Sequence, residues 1–343
     1  MLRPIPRPAS PSTALSTGEK VAFLRRADTY PGRPARVETV ETHMSWVFLT
    51  ETFAYKLKKP VRYAFLDFST LAARHRNCQR ELRLNRRLAK EVYRGIVPLT
   101  LERGSLRLGG RGKAVDWLVK MHRLPAHRML DAAIRDGTVS AADLRNMSRV
   151  LIAFYRGLAP VAVGERAYRK RFEAGVLANA AELGRPDWRL SQRQIEHVTR
   201  AQSRFLAAHG GLLEARARSR RIVEAHGDLR PEHICLTREP VIIDCLEFKR
   251  EFRLLDPVDE LAYLAMECDR LGSAAGNSIL ERYLDAAREQ VPGAMILFYR
   301  AYRACLRAKI TIWHLADHAV ERDKWRRRAR EYLDLASSYV ARL

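Results

Sequence analysis

Residues 226–247 read HGDLRPEHICLTREPVIIDCLE, a string that few folds can use. Ile234-Cys235-Leu236 and Val241-Ile242-Ile243 are strand formers, and Thr237-Arg238-Glu239-Pro240 between them has turn chemistry, so the spacing predicts a hairpin. A hairpin returns the chain to its start, which is expected to bring Asp244 to the loop carrying His226, Asp228 and His233. Two carboxylates converging at an apolar strand end repel one another, and a divalent cation relieves that cost. A single Asp at a strand end is ordinarily a turn cap. The strand–turn–strand context with an acid on either side makes a functional constellation the better reading.

The rest of the chain predicts an α+β protein. Residues 1–15 read as a flexible leader, broken by prolines and without the apolar stretch of a secretory signal. Ser16 and Glu19 form a capping-box pattern for one short helix ending before Pro31. Trp46-Val47-Phe48-Leu49 and Phe53-Ala54-Tyr55-Lys56-Leu57 predict a hairpin, and Ser69 or Thr70 can cap a helix from Leu71 to about Ala89. Ile96 to Leu101, Ser105 to Leu108 and Val115 to Met121 read as further strands of a small antiparallel sheet. Beyond Pro125 the pattern is helical apart from Ile234 to Asp244. No apolar run is long enough to cross a bilayer, and five cysteines without paired spacing suit a reducing compartment, so the expected location is the cytoplasm. The 62 Lys+Arg against 39 Asp+Glu give a formal charge of +23, which favours acidic or phosphorylated partners over polycations.

HGDLRPEHICL followed by VIIDCLEF resembles the catalytic core of the aminoglycoside phosphotransferase-like kinases, which have the protein-kinase-like fold. THMSWVFLTETFAYKLKKPVRYAFLDFST and CQRELRLNRRL resemble a bacterial branch of that superfamily usually labelled aminoglycoside phosphotransferase family enzymes. The motifs run in the family's order from about Val40 to Arg270. The resemblance implies a bilobal architecture. Residues 16–121 would form an N-lobe of small antiparallel sheet with one long helix, and 122–343 a larger, mostly helical C-lobe.

The same resemblance implies ATP and Mg²⁺ as cofactors, with Asp228 as catalytic base orienting the acceptor hydroxyl and Asp244 as metal ligand. Glu247 would be a supporting or second-metal carboxylate, His226 a structural residue of the loop, and Asp259 a brace for that loop. His233 stands where these kinases place a metal-binding Asn. Imidazole suits transition metals better than Mg²⁺, so either Asp244 and water suffice for the metal, or Mn²⁺ is used with His233 as a ligand, or phosphoryl transfer is impaired, as in a pseudokinase.

Lys56 and Lys58 alternate along one strand and project from one face; Lys56, the more central, is the preferred phosphate lysine. Glu81 lies on a helical stripe with apolar neighbours and needs a cation, for which Lys56 is favoured over the local Arg74 or Arg86. The chain has no Gly-rich phosphate loop; the turn from Glu41 to Ser45, with the Thr42 and Ser45 hydroxyls, is the substitute candidate. The resemblance implies a hinge between the lobes whose backbone amides read adenine, a strip placed at Val119 through Arg123, with Met121 within it.

Two other readings compete. A zinc site from His226, His233, Cys235 and Cys245 lacks any paired Cys spacing. A nucleotide-, RNA- or anion-binding module on a retired kinase core is motivated by Arg300, Arg303 and Arg307 on one helical face, though arginine-interleaved aromatic clusters are missing. The favoured function is transfer of the ATP γ-phosphoryl group to a hydroxyl of a small molecule that is not a polycation.

Overall fold

The computed structural model describes residues 15–63, 66–316 and 321–343, so residues 1–14 of the expected leader lie outside the described residues. The chain divides into two compact units, one holding the described residues through Ala126 together with Val241–Lys249, the other His127–Pro240 and Arg250–Leu343.

The first unit opens with α1 (Thr17–Leu24), whose capping box is formed: the Ser16 hydroxyl accepts from the Glu19 amide at 3.2 Å and the Ser16 amide donates to the Glu19 carboxylate at 2.7 Å. Next come β1 (Glu38–Glu41), β2 (Ser45–Leu49), β3 (Phe53–Lys58), the short β4 (Arg62–Tyr63) and β5 (Leu66–Asp67), then α2 (Leu71–Asn85). β6 (Tyr93–Glu102), β7 (Ser105–Leu108) and β8 (Lys113–His122) complete an antiparallel six-stranded sheet of order β1-β2-β3-β8-β6-β7. Period-two alternation sorts its faces. Phe48, Tyr55, Leu57, Leu99 and Leu118 pack with Val21 and Leu24 of α1. Ala54, Val119 and Met121 face the other way and pack with Cys78 of α2. Lys56 and Lys58 share the parity of Ala54, so β3 sends both toward α2. The Thr70 hydroxyl caps α2 by accepting from the Ala73 amide at 3.1 Å. The helix stops at Asn85, short of the expected Ala89, and Ala89 closes a turn on the Asn85 carbonyl.

The second unit is mostly helical: α3 (Leu130–Arg135), α4 (Ala141–Arg156), α5 (Glu165–Leu183), α6 (Gln192–Arg218), α7 (Pro257–Arg270), α8 (Ala275–Ala287), α9 (Gly293–Trp313) and α10 (Arg322–Val340). Every residue from Pro257 to Cys268 is buried, which makes α7 the axis of the unit. Its buried acids need cations. Asp259 receives both arms of Arg303 at 2.7 and 2.5 Å, and Glu267 takes Arg307 at 2.8 Å and Arg270 at 3.0 Å. Arg300 reaches Asp269 at 3.3 Å. The arginine stripe of α9, expected as a possible anion-binding face, is therefore spent on α7. Among the described residues no helix is long and apolar enough to cross a membrane.

Candidate active site

In the first unit Lys56 and Lys58 both converge on Glu81, whose side chain is fully buried. Lys56 Nζ lies 3.1 Å from Glu81 Oε1 and 2.7 Å from Asp244 Oδ1; Lys58 Nζ lies 2.5 Å from Glu81 Oε2 and 2.9 Å from Glu247 Oε1. Arg74 and Arg86, the local alternatives for Glu81, are engaged elsewhere, Arg74 with Asp116 at 2.7 Å and Arg86 with the Tyr93 carbonyl at 3.0 Å. Exposure separates the two lysines: the side chain of Lys58 is 0% exposed, that of Lys56 14%, and that of Asp244 43%. Burial opposes charge on both lysines, but Asp244, Glu81 and Glu247 raise Lys56 well above its ordinary value, and Glu247 and Glu81 raise Lys58. Burial likewise opposes charge on Glu81, and Lys56 with Lys58 overcomes it, so its carboxyl sits below the usual range. All three are ionised at neutral pH.

Asp244 sits in left-handed backbone, at φ 60°, a region that Asp tolerates better than most residues. Its amide donates to the Tyr93 hydroxyl at 3.3 Å, and the next amide, of Cys245, donates to Asn85 Oδ1 at 2.8 Å. These bonds hold an uncommon conformation at the residue the sequence singled out.

In the second unit the HGD loop hangs on α7. Gly227 takes φ 90°, which a side chain would oppose, and its amide donates to Glu260 Oε1 at 2.5 Å. The His226 amide and the Tyr155 hydroxyl donate to Glu260 Oε2 at 3.1 and 2.7 Å. The loop brace expected at Asp259 is thus formed by its neighbour Glu260, and Asp259 is committed to Arg303. His226 is buried and accepts from the Asp228 amide at 3.3 Å through Nδ1. Asp228 Oδ1 accepts from the Tyr263 hydroxyl at 2.9 Å and lies 3.0 Å from Arg230 Nε. Burial works against charge on Asp228, yet Arg230, His233, Arg307 and the Tyr263 hydroxyl bring its pKa down to about 2.

His233 is held inside this loop. Its Nδ1 lies 2.9 Å from the Asp228 carbonyl and its Nε2 3.0 Å from Arg230, so both ring nitrogens have protein neighbours. In the Glu41–Ser45 turn the polar groups serve each other: the Ser45 amide donates to the Thr42 hydroxyl and that hydroxyl to the Ser45 carbonyl, each at 3.0 Å. On β8, Val119 pairs with Lys56 on one side and Ile96 on the other, and Met121 with Ala54 and Tyr93. The Arg123 amide donates to the Thr52 carbonyl, while its guanidinium reaches the Thr50 carbonyl and Glu38. Among the described residues no group of three or more His, Cys, Asp or Glu side chains is arranged to hold a metal. Glu260, Tyr263 and Arg230 were not singled out from sequence, and Arg307 was singled out only as part of the basic face of α9; Arg230, two residues after Asp228, carried the nearest local signal.

Three solved structures superpose on nearly the whole chain. An aminoglycoside phosphotransferase solved with GDP and kanamycin matches at TM-score 0.53 and 12% identity, covering 94% of this chain and 99% of the other. The choline kinase LicA of Streptococcus pneumoniae matches at 0.51 and 14%, covering 94% and 100%. A glucosamine kinase matches at 0.53 and 13%, covering 95% and 82%. The fold is that of the aminoglycoside phosphotransferase-like kinases. In sequence, uncharacterized proteins of Mycobacterium tuberculosis and Mycobacterium bovis are each 34% identical over 290 residues, 80% of this chain and 54% of theirs. The chain therefore spans about half the length of the curated relatives it matches. No protein-family model matches the chain. Within the phosphotransferase-like fold, the Lys56–Glu81 pair lies between a strand and a helix of the sheet unit, and Asp228 lies in a loop of the helical unit.

Proposed function

We propose that the protein is an ATP-dependent phosphotransferase acting on a hydroxyl of a small neutral or anionic molecule. The observation that carries this reading is the buried Lys56–Glu81 pair in contact with the half-exposed Asp244. Such a pair can present one ammonium to the nucleotide phosphates beside one accessible carboxylate for their metal.

Mg²⁺ fits the donors on hand. It keeps several waters and is ordinarily held by one or two carboxylates together with substrate phosphates. Asp244 offers a hard, accessible oxygen, whereas Glu247 is pinned by Lys58. Bound there, Mg²⁺ would offset charge developing on the phosphoryl oxygens. We assign His233 to the loop rather than to the metal, because its ring nitrogens face Asp228 and Arg230. Mg²⁺ chemistry is then compatible with a histidine at this position.

Lys56 binds the phosphates in this account, and Asp228 orients the acceptor hydroxyl. A pKa near 2 makes Asp228 a weak proton acceptor, so orientation outweighs base strength in its role. That suits a loose phosphoryl-transfer transition state, in which the protein contributes chiefly positioning and electrostatics. The charge of +23 disfavours polycationic acceptors. Transfer of label from γ-labelled ATP to a panel of sugars, polyols and sugar phosphates tests the proposal. Asp228→Asn is expected to lower turnover by roughly 10²-fold, the scale of lost positioning, while ATP affinity holds. Equal loss of ATP binding would contradict the assigned role, and efficient phosphorylation of kanamycin would contradict the acceptor class.

A further inference from the structure

The lysine cluster holds one more basic group than an ion pair between phosphate lysine and helix glutamate requires. Two ammonium groups face three carboxylates: Lys56 touches Glu81 and Asp244, and Lys58 touches Glu81 and Glu247. Lys58 has no exposed side-chain surface, and its ammonium also lies 5.1 Å from the centre of the Phe68 ring. A group so enclosed cannot follow a ligand, whereas Lys56, at the edge beside Asp244, can.

Glu81 stands between the two. If Lys56 turned to a phosphate, Glu81 would still hold Lys58, and no buried carboxylate would be stranded. Glu247 ties the same ammonium to the segment that carries Asp244. That segment is fastened at further points: the Cys245 amide bonds Asn85, and the Phe248 carbonyl accepts from Arg80 at 3.0 Å, both residues of α2. Phe248 also packs against Tyr63, Leu66 and Phe68.

We propose that Lys58 is a positioning residue: through Glu247 it fastens the Asp244 segment to β3, and through Glu81 it keeps that carboxylate paired when Lys56 engages phosphate. The second half rests on the phosphotransferase reading; the first does not. Two variants separate the halves, K58M, which strands Glu81 and Glu247, and the nearly isosteric E247Q, which cuts the tie to the segment with less risk to the fold.

Amide hydrogen exchange without ligand is the first readout. Losing a charge-assisted contact corresponds to on the order of tenfold faster local opening, expected across residues 241–249 in both variants while β6 to β8 hold their rates. The second readout is the division between KM for Mg-ATP and kcat in E247Q. Apparent affinity falls with the fraction of molecules whose segment is in place, and saturating nucleotide restores that fraction, so any loss in E247Q should fall on KM rather than kcat, by the factor that the exchange rates give for that fraction. A merely structural Lys58–Glu247 pair would lower the active fraction and leave KM unchanged. Wild-type exchange over residues 241–249 in both variants, or a loss in E247Q that falls on kcat with KM unchanged, overturns the proposal. If the unaltered protein turned over no ATP, the phosphotransferase reading would fall, and exchange alone would decide the fastening.

Discussion

Asp228 is surrounded by groups that favour its charged form, and this has a consequence for stability. Its folded pKa, about 2, lies below the ordinary carboxylate value, so the group binds protons less readily folded than unfolded. Stability from this source is fully present above the unfolded pKa and is lost as pH falls through the folded one. The contribution is roughly 2 to 3 kcal/mol at neutral pH, disappearing between about pH 5 and pH 2. Asp228→Asn should therefore flatten the acid limb of the stability curve. The check is the difference between wild-type and variant unfolding free energies over that range; a pH-independent difference would contradict the electrostatic account of the loop. The depressed pKa also argues that activity will not fall with an acid limb set by Asp228 near neutrality.

Among the elements, α7 and α9 best illustrate what packing decides. Arg303 and Asp259 meet in a buried, two-armed pair, and removing one partner of such a pair strands a charge. Arg303→Met should cost about 3 to 5 kcal/mol, and the double change to Arg303→Met with Asp259→Asn should recover much of it. Denaturant midpoints at constant slope would measure both; a single variant as stable as wild type would contradict the pairing. The same helices show where reading a sequence stops. Three arginines on one face of α9 can meet solvent, RNA or acids of a neighbouring helix, and nothing local distinguishes these. Asp259 and Glu260 are adjacent acids that point about 100° apart on a helix, so only tertiary packing decides which one takes the loop amides. Local patterns were legible in contrast: the Ser16 capping box, the β2–β3 hairpin, the shared face of Lys56 and Lys58, and Glu81 among apolar neighbours each follow from spacing of a few residues. Glu81 was matched with Lys56, but its second partner, Lys58, depends on the depth of each lysine in the unit, which alternation does not supply.

For the molecule as a whole, the surplus of 23 positive charges is less free than the composition suggests. Arg74, Arg216, Arg303 and Arg307 are buried or nearly so and paired with acids from distant parts of the chain. Net charge thus remains an argument about long-range attraction, while specific recognition belongs to the site. The central claim is that the chain binds ATP through a metal held by Asp244. Thermal unfolding with ATP, with and without Mg²⁺, tests it directly, alongside Asp244→Ala. A ligand at 100 times its dissociation constant adds about 2.7 kcal/mol to the folded state. The account predicts a metal-dependent rise in melting temperature that disappears in the variant. An equal rise in the variant, or none in the wild-type protein with any divalent metal, would contradict it.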